Sequence, residues 1–481
     1  NEGIVAGTIR RVPKGTLGAS SVGPDDIVVL EEVPDFLPPV AGIVTAIPQT
    51  PLAHLNLLAK SRGTPNAYVA GIMGDEGLAD WELWRTPVIL AVSDGDVRFQ
   101  PITTAEYNTY KDLAKGGALD IPMADLDTAP DFLDLGTGGL ADVRDRVPLA
   151  GGKASAMMAF NDFPEISIPS TPLAITVAPF ADHLAIFDAV LSTMLASTDF
   201  KTDKRARFLV LEGETAFRDG HSGDADALEW LEEFLVDHPA NSFLGSLVAG
   251  GGFKQQLRDL PLGASFASDL QDTLSTHFAA LGDLQGLRFR SSSTAEDVQG
   301  FNGAGLYDSN SGYLHPELQE TPKLQKRSAE WALKKTWASY WNFEALEERR
   351  VAGIDHLSGR MAVLVHPRFD DPKELANGVI TLFYAREGTG SRAEMVVNVQ
   401  DGATSVTNPD PSDPTTPEIA TVVRVGGGDA TLLRVQASSL VGAGEVVLVD
   451  ADYQWLMDQL EPLTAAWLDQ VNTTLPLTQH R

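Results

Sequence analysis

The chain has 481 residues, enough for two to four domains with real interiors rather than a single core. Its 36 basic and 66 acidic residues leave a formal charge of −30, which argues against nucleic acid and anionic membranes as partners but leaves room for a nucleotide in a local basic pocket. Cysteine is absent, so disulfides, thiolate metal sites and cysteine nucleophiles are excluded. In chain order, residues 1–115 alternate strand-like runs (Ile27 to Leu30, Gly42 to Ile47, Val88 to Val92, Val97 to Phe99) with turns rich in Gly, Pro and Asp. Residues 116–147 are acidic and punctuated by glycine, and read as a linker. A second strand-and-helix system fills 148–481. Helical stripes are expected in Ala181 to Ser197 and over Leu270, Leu274, Phe278 and Leu281. After Lys323, Leu333, Trp337, Tyr340 and Trp341 form a stripe that reads as core. Strands are expected at Met361 to Val365, Gly378 to Phe383 and Met395 to Val399, and a last helix from Tyr453 to about Val471, interrupted at Pro462.

Four stretches carry possible chemistry. In Gly42 to Val69, a strand runs through Pro48-Gln49-Thr50 into a helix, with Thr50 as N-cap, Pro51 at the first helical position and Gly63 as the stop. His54 then sits in the first turn, where the positive end of the helix favours neutral imidazole and any phosphate it carries. A histidine packed among Leu52, Leu55, Leu57 and Leu58 explains the same residues. The run Leu149-Ala-Gly-Gly-Lys153 opens a helix with a lysine beside flexible glycines, suited to a polyphosphate, although it is not a Walker A motif. A plain glycine turn is the simpler account of it.

The run Leu287-Arg-Phe-Arg-Ser-Ser-Ser-Thr-Ala-Glu-Asp297 puts Arg288 and Arg290 on one strand face. The hydroxyls of Ser291, Ser292 and Thr294 and the carboxylates of Glu296 and Asp297 follow, ahead of the glycine-rich Gly300 to Gly305. Guanidinium, hydroxyls and glycine backbone suit a polyanion; a serine-rich helix cap fits equally well. The fourth stretch, Trp337 to Arg349 followed by Gly353-Ile-Asp-His356 and Met361 to His366, presents a helix that delivers Arg349 toward a buried strand.

Taken together, GGK, RSSSTAED with its glycine loop, and WASxW…AxxxR…GIDH…MAVLV resemble the nucleotide-binding domain of the dikinases, the family of pyruvate phosphate dikinase, phosphoenolpyruvate synthase and alpha-glucan water dikinase. The strand, turn and helix around His54 look like the family's swivelling phosphohistidine domain. The resemblance runs from about Gly42 to Pro409, with the domain order of the glucan-type enzymes. It implies an α/β (α+β) fold: an N-terminal swivelling β/α domain followed by an ATP-grasp-like nucleotide-binding domain. It also implies ATP and Mg²⁺ as cofactors, Lys153, Arg290 and Arg349 as phosphate contacts, and His54 as the phosphoryl carrier to a pyruvate- or glucan-like acceptor.

Several positions depart from the family. Pro48-Gln49 and Ala53 stand where a glycine pair and a hydroxyl or thiol residue usually precede the histidine, and Glu344-Ala345 replaces Arg-Ala. His366 ends the strand that usually supplies glutamine, and Gln400 to Ala403 lacks the loop carboxylate. The C-terminal acidic strand and glutamine that hold Mg²⁺ have no counterpart before Arg481, and nothing remains for a barrel of roughly 250 residues. A fragment of a larger chain, or a homodimer, is therefore expected. With no apolar run approaching the roughly 20 residues of a spanning helix and no leader-like start, a cytoplasmic location is the expectation. Two functions follow: an ATP-dependent phosphotransferase of the dikinase type, or a catalytically degenerate nucleotide-binding scaffold.

Overall fold

In the computed structural model three sheets follow one another along the chain; it describes residues 1–470 except 18–21, 35–36, 50–53, 94, 115–120, 122, 297–300, 302, 304, 370–373, 388–389, 405 and 407–414. The side chains of residues 54, 57, 58, 61, 112–114 and 387 also lie outside the description.

The first sheet has six strands: β1 (Gly3–Val12), β2 (Asp26–Leu30), β3 (Gly42–Thr45), β4 (Asn66–Tyr68), β5 (Pro87–Ser93) and β6 (Asp96–Pro101), in the order β4-β3-β2-β1-β5-β6. The first four run parallel to one another, β5 pairs antiparallel with β1, and β6 antiparallel with β5. Because β2 and β3 are covered on both faces, their sequences are unbroken apolar runs instead of alternating ones. One face packs Ile27, Val29, Val44 and Leu90 against Leu78 of the helix Glu76–Leu83. The other packs Val28, Leu30 and Ile43 against Leu55 and Ala59, one turn apart on the helix His54–Arg62. All four expected strands are present. Sequence reasoning missed β1, whose paired arginines and two glycines blur its pattern, and β4, which has only three residues. Gly63, at φ +65°, ends the helix as expected; the expected cap at Thr50 and Pro51 lies outside the described residues.

The second sheet is antiparallel throughout: β7 (Phe132–Asp134), β8 (Leu173–Ile175), β9 (Gly286–Ser293), β10 (Ser309–Tyr313) and β11 (Met361–Pro367), ordered β10-β9-β11-β8-β7. Edge strand β7 and the start of the helix Val143–Met157 fall within the stretch expected to be a linker, where acidic and glycine-rich composition masks a three-residue strand. The strand expected over Leu287 to Arg290 continues to Ser293, because Ser291, Ser292 and Ser293 stay in register with Val363, Ala362 and Met361. The helix expected over Ala181 to Ser197 is two helices, Val177–Ala185 and Asp188–Ala196, bent by 75°. Leu184, Leu191 and Met194 still reach the common core. The aromatic stripe is core, as read: Leu333, Trp337, Tyr340 and Trp341 are all fully buried.

The third sheet is an antiparallel meander of β12 (Ala376–Glu387), β13 (Gly390–Asp401), β14 (Glu418–Val425) and β15 (Thr431–Gln436), the last two unanticipated. The final helix, Asp450–Gln470, is not interrupted at Pro462. Proline removes one rung of the ladder, but both halves are held by packing. Tyr453 and Met457 sit on the third sheet, while Leu463, Ala466 and Trp467 pack on the apolar layer beneath the second. Among the described residues no single helix is long and apolar enough to cross a membrane.

Candidate functional site

Two of the sequence motifs meet at a glycine. Gly151 has φ +71° and interrupts the helix Val143–Met157, so a helical segment restarts at Gly152 and Lys153. A Cβ on Gly151 would lie 2.0 Å from the Ser292 carbonyl oxygen, so only glycine allows this backbone to approach β9. Ser292 completes the junction. Its hydroxyl donates to the Ala150 carbonyl at 2.7 Å and accepts from the Ala154 N–H at 2.9 Å. A serine from a distant strand thereby caps the restarted helix. Lys153, two residues into that segment, forms an ion pair with the buried carboxylate of Glu296. Further along this face of β9, two residues from Ser292, lies Arg290.

Arg290 and Arg288 open onto a cleft of about 490 Å³. Period-two geometry builds it. Arg288 lies opposite Ser311 on β10 and His366 on β11, and Arg290 opposite Ser309, so all five share one face. Arg327, Arg368, Phe369, Glu374 and Asn377 complete the lining. Among the described residues the cleft thus gathers four arginines and one carboxylate, in a chain of net charge −30. Such a concentration of forked donors suits a polyanion.

His366 adds an acceptor to this set of donors. Its ring is buried, with Nδ1 2.8 Å from the Pro367 carbonyl oxygen, which places the proton on Nδ1. Nε2 is left as a buried lone pair without a protein partner. Burial, and with it Arg290 and Arg288, holds the imidazole below its ordinary pKa and keeps it neutral. The exposed ring of Phe369 stands beside it, centroids 6.2 Å apart.

The other expected residues fare differently. Ser291 is fully buried, its hydroxyl without a partner, on the core side of β9. Thr294, also buried, accepts from the Arg360 N–H at 3.0 Å. The expectation of an open hydroxyl cradle is thus corrected, because the serines continue a central strand instead of forming a loop. Arg349 is corrected as well. It is fully buried, with its guanidinium 3.9 Å from the Tyr340 ring centroid and bonded to the Tyr307 hydroxyl (3.2 Å) and the Tyr340 carbonyl (2.8 Å). Aromatic faces and a carbonyl take its charge, so it braces the core and does not line the cleft. Burial, opposed by Arg349, pushes the Tyr307 hydroxyl up to about 12. The side chain of His54 and all of Asp297 lie outside the described residues.

Sequence reasoning missed Arg368 and Arg327. Arg368 had a signal: it lies two residues beyond His366 and continues its alternation. Arg327 had none, since only tertiary packing brings the start of the Ala329–Ala338 helix beside β10. Among the described residues no group of three or more histidines or carboxylates converges, and Glu296 is already matched by Lys153.

Residues 147–405, more than half of the chain, match the family described as pyruvate phosphate dikinase, AMP/ATP-binding domain. No curated protein matches the chain.

Proposed function

The chain belongs to the family of the pyruvate phosphate dikinase AMP/ATP-binding domain, and from that premise we propose that it is an ATP-dependent phosphotransferase that loads His54. The observation that carries this reading is the arginine cleft on β9, beside the helix start that Ser292 and Gly151 build. ATP lies in that cleft with its phosphates on Arg290 and Arg288 and its base toward Phe369 and the free Nε2 of His366. Lys153 exchanges Glu296 for a phosphate oxygen as the nucleotide arrives. Positioning and charge neutralisation of this kind supply most of the catalysis in phosphoryl transfer.

A neutral His54 ring nitrogen attacks the β-phosphorus and an N–P bond forms as the bond to the α-phosphate oxygen breaks, releasing AMP. Water takes the γ-phosphoryl group as inorganic phosphate. His54 then carries the retained phosphoryl group to a pyruvate- or glucan-like acceptor. No step is assigned to Mg²⁺, because the described residues offer it no ligand set.

That same lack of a ligand set, together with the burial of Arg349, favours a second reading: a nucleotide-binding scaffold without phosphotransfer. Separately β- and γ-labelled ATP distinguish the two. Phosphotransfer predicts acid-labile protein label from the β position only, AMP as product, and loss of label in His54→Ala. Nucleotide binding without label or AMP, in the full-length gene product with Mg²⁺, establishes the scaffold.

A further inference from the structure

Side-chain amides tie Gln49 to β3 and β4 and reach the helix that begins at His54. Gln49 and Asn66 pair reciprocally: Gln49 Nε2 donates to Asn66 Oδ1 at 3.0 Å and Asn66 Nδ2 donates to Gln49 Oε1 at 3.0 Å. The second hydrogen of each amide is also used. Gln49 donates to Thr45 Oγ1 at 2.9 Å and Asn66 to Asn56 Oδ1 at 2.5 Å. Thr45 in turn donates to the Ile47 carbonyl at 2.9 Å. All four amide hydrogens of the pair are therefore spent inside the network, and the reciprocal pairing fixes both amide orientations. Asn66 is buried on β4, and Thr45 is fully buried at the end of β3.

Apolar side chains would fill this space without the desolvation that two carboxamides incur. What a fully satisfied network adds is direction, because it holds in one geometry and fails in others. Here it joins three chain segments: the end of β3 with its turn, the helix His54–Arg62, and β4. It grips the chain at Gln49 and at Asn56, one position on each side of His54 in sequence. We infer that Gln49, Asn66 and Asn56 are positioning residues, an amide pin that orients the His54 turn for phosphoryl transfer. The inference rests on the function proposed above, although the pin's mechanical part does not.

The test uses the full chain carrying Asn66→Leu, Gln49→Leu, or the exchanged pair Gln49→Asn/Asn66→Gln, which conserves the summed side-chain length. Hydrogen exchange in peptides covering 46–58 rises about ten-fold or more in either leucine variant, while β5 and β6 keep their protection. Nucleotide affinity is unchanged, and the rate of label transfer to His54 falls about ten-fold or more, as expected when a reacting group is misplaced without loss of binding. The exchanged pair restores most of both. Unchanged exchange over 46–58 overturns the pin. So does a rise shared equally by the whole first sheet, which marks an ordinary contribution to stability. A wild-type chain that takes no label defeats the proposed function alone, and the exchange measurement still decides the pin. Should Asn66→Leu fail to fold, the half-buried Gln49 carries the same test.

Discussion

Arg290 and Arg349 are the same side chain in opposite surroundings. Arg290 is exposed on a cleft wall where three other arginines gather. Arg349 is sealed between Tyr340, Trp341 and Tyr307, with its charge shared by aromatic faces and a carbonyl. The difference shows what makes an arginine available to a ligand. A guanidinium enclosed by fixed protein groups braces the fold, whereas one held on a strand face among like charges is open to an anion. A motif that contains both cannot tell them apart, because residue identity and spacing are silent on which face is covered.

The comparison can be broken from its buried side first. Arg349→Ala removes a stacked cation and two hydrogen bonds from a closed core, and thermal unfolding should show a loss of about 3–4 kcal/mol. If stability is unchanged and only nucleotide binding suffers, Arg349 belongs with the cleft after all. Next in size is Gly151→Ala, where positive φ and the clash with the Ser292 carbonyl together cost about 3 kcal/mol in urea denaturation. On the exposed side, Arg290→Ala should weaken ATP binding by about 2 kcal/mol in calorimetry while leaving the unfolding midpoint nearly unmoved. A large fall in stability there would erase the contrast.

A pH experiment sharpens it at a third site. Glu348 is buried against Arg62 from the His54–Arg62 helix, and burial pushes its carboxyl up to about 7, with Arg62 opposing and Glu347 adding to the rise. A folded-state pKa above the unfolded one means stability that is complete below about 4.5 and is lost as pH rises through about 7. Urea midpoints should therefore fall across that window in the wild type and flatten in Glu348→Gln. The smallest effect is expected for Arg98→Ala. This arginine pairs with Asp96 in full view of solvent, and calorimetry should find a change under about 0.5 kcal/mol.

Much of the architecture was legible because it rests on periodicity. The alternation Leu287-Arg288-Phe289-Arg290 gave the strand and its two faces, the stripe at Trp337 and Trp341 gave the core, and Gly63 gave a helix end. Within the stretch read as a linker, the strand Phe132–Asp134 was not legible because three residues are too few to show a period. The break expected at Pro462 failed because packing at both ends of a helix outweighs one missing hydrogen bond. Of the residues lining the cleft, Arg288 and Arg290 stood out in the sequence, and Arg368 stood one alternation beyond a residue already noted. Arg327 and the capping role of Ser292 could not be read, since each depends on a partner distant in sequence.

The sequence by itself determined which residues can meet phosphate and which dikinase-type pattern they follow, because local backbone preference and side-chain chemistry are written residue by residue. The tertiary structure alone decided which of them line an open cleft and which are enclosed. Burial turned Ser291, Thr294 and Arg349 into parts of the core, and the pairing of β9 with β10 and β11, with the Ala329–Ala338 helix packed beside β10, brought four arginines to one cleft. The physical reason is that desolvation depends on what packs against a group, and that is set by contacts far away along the chain.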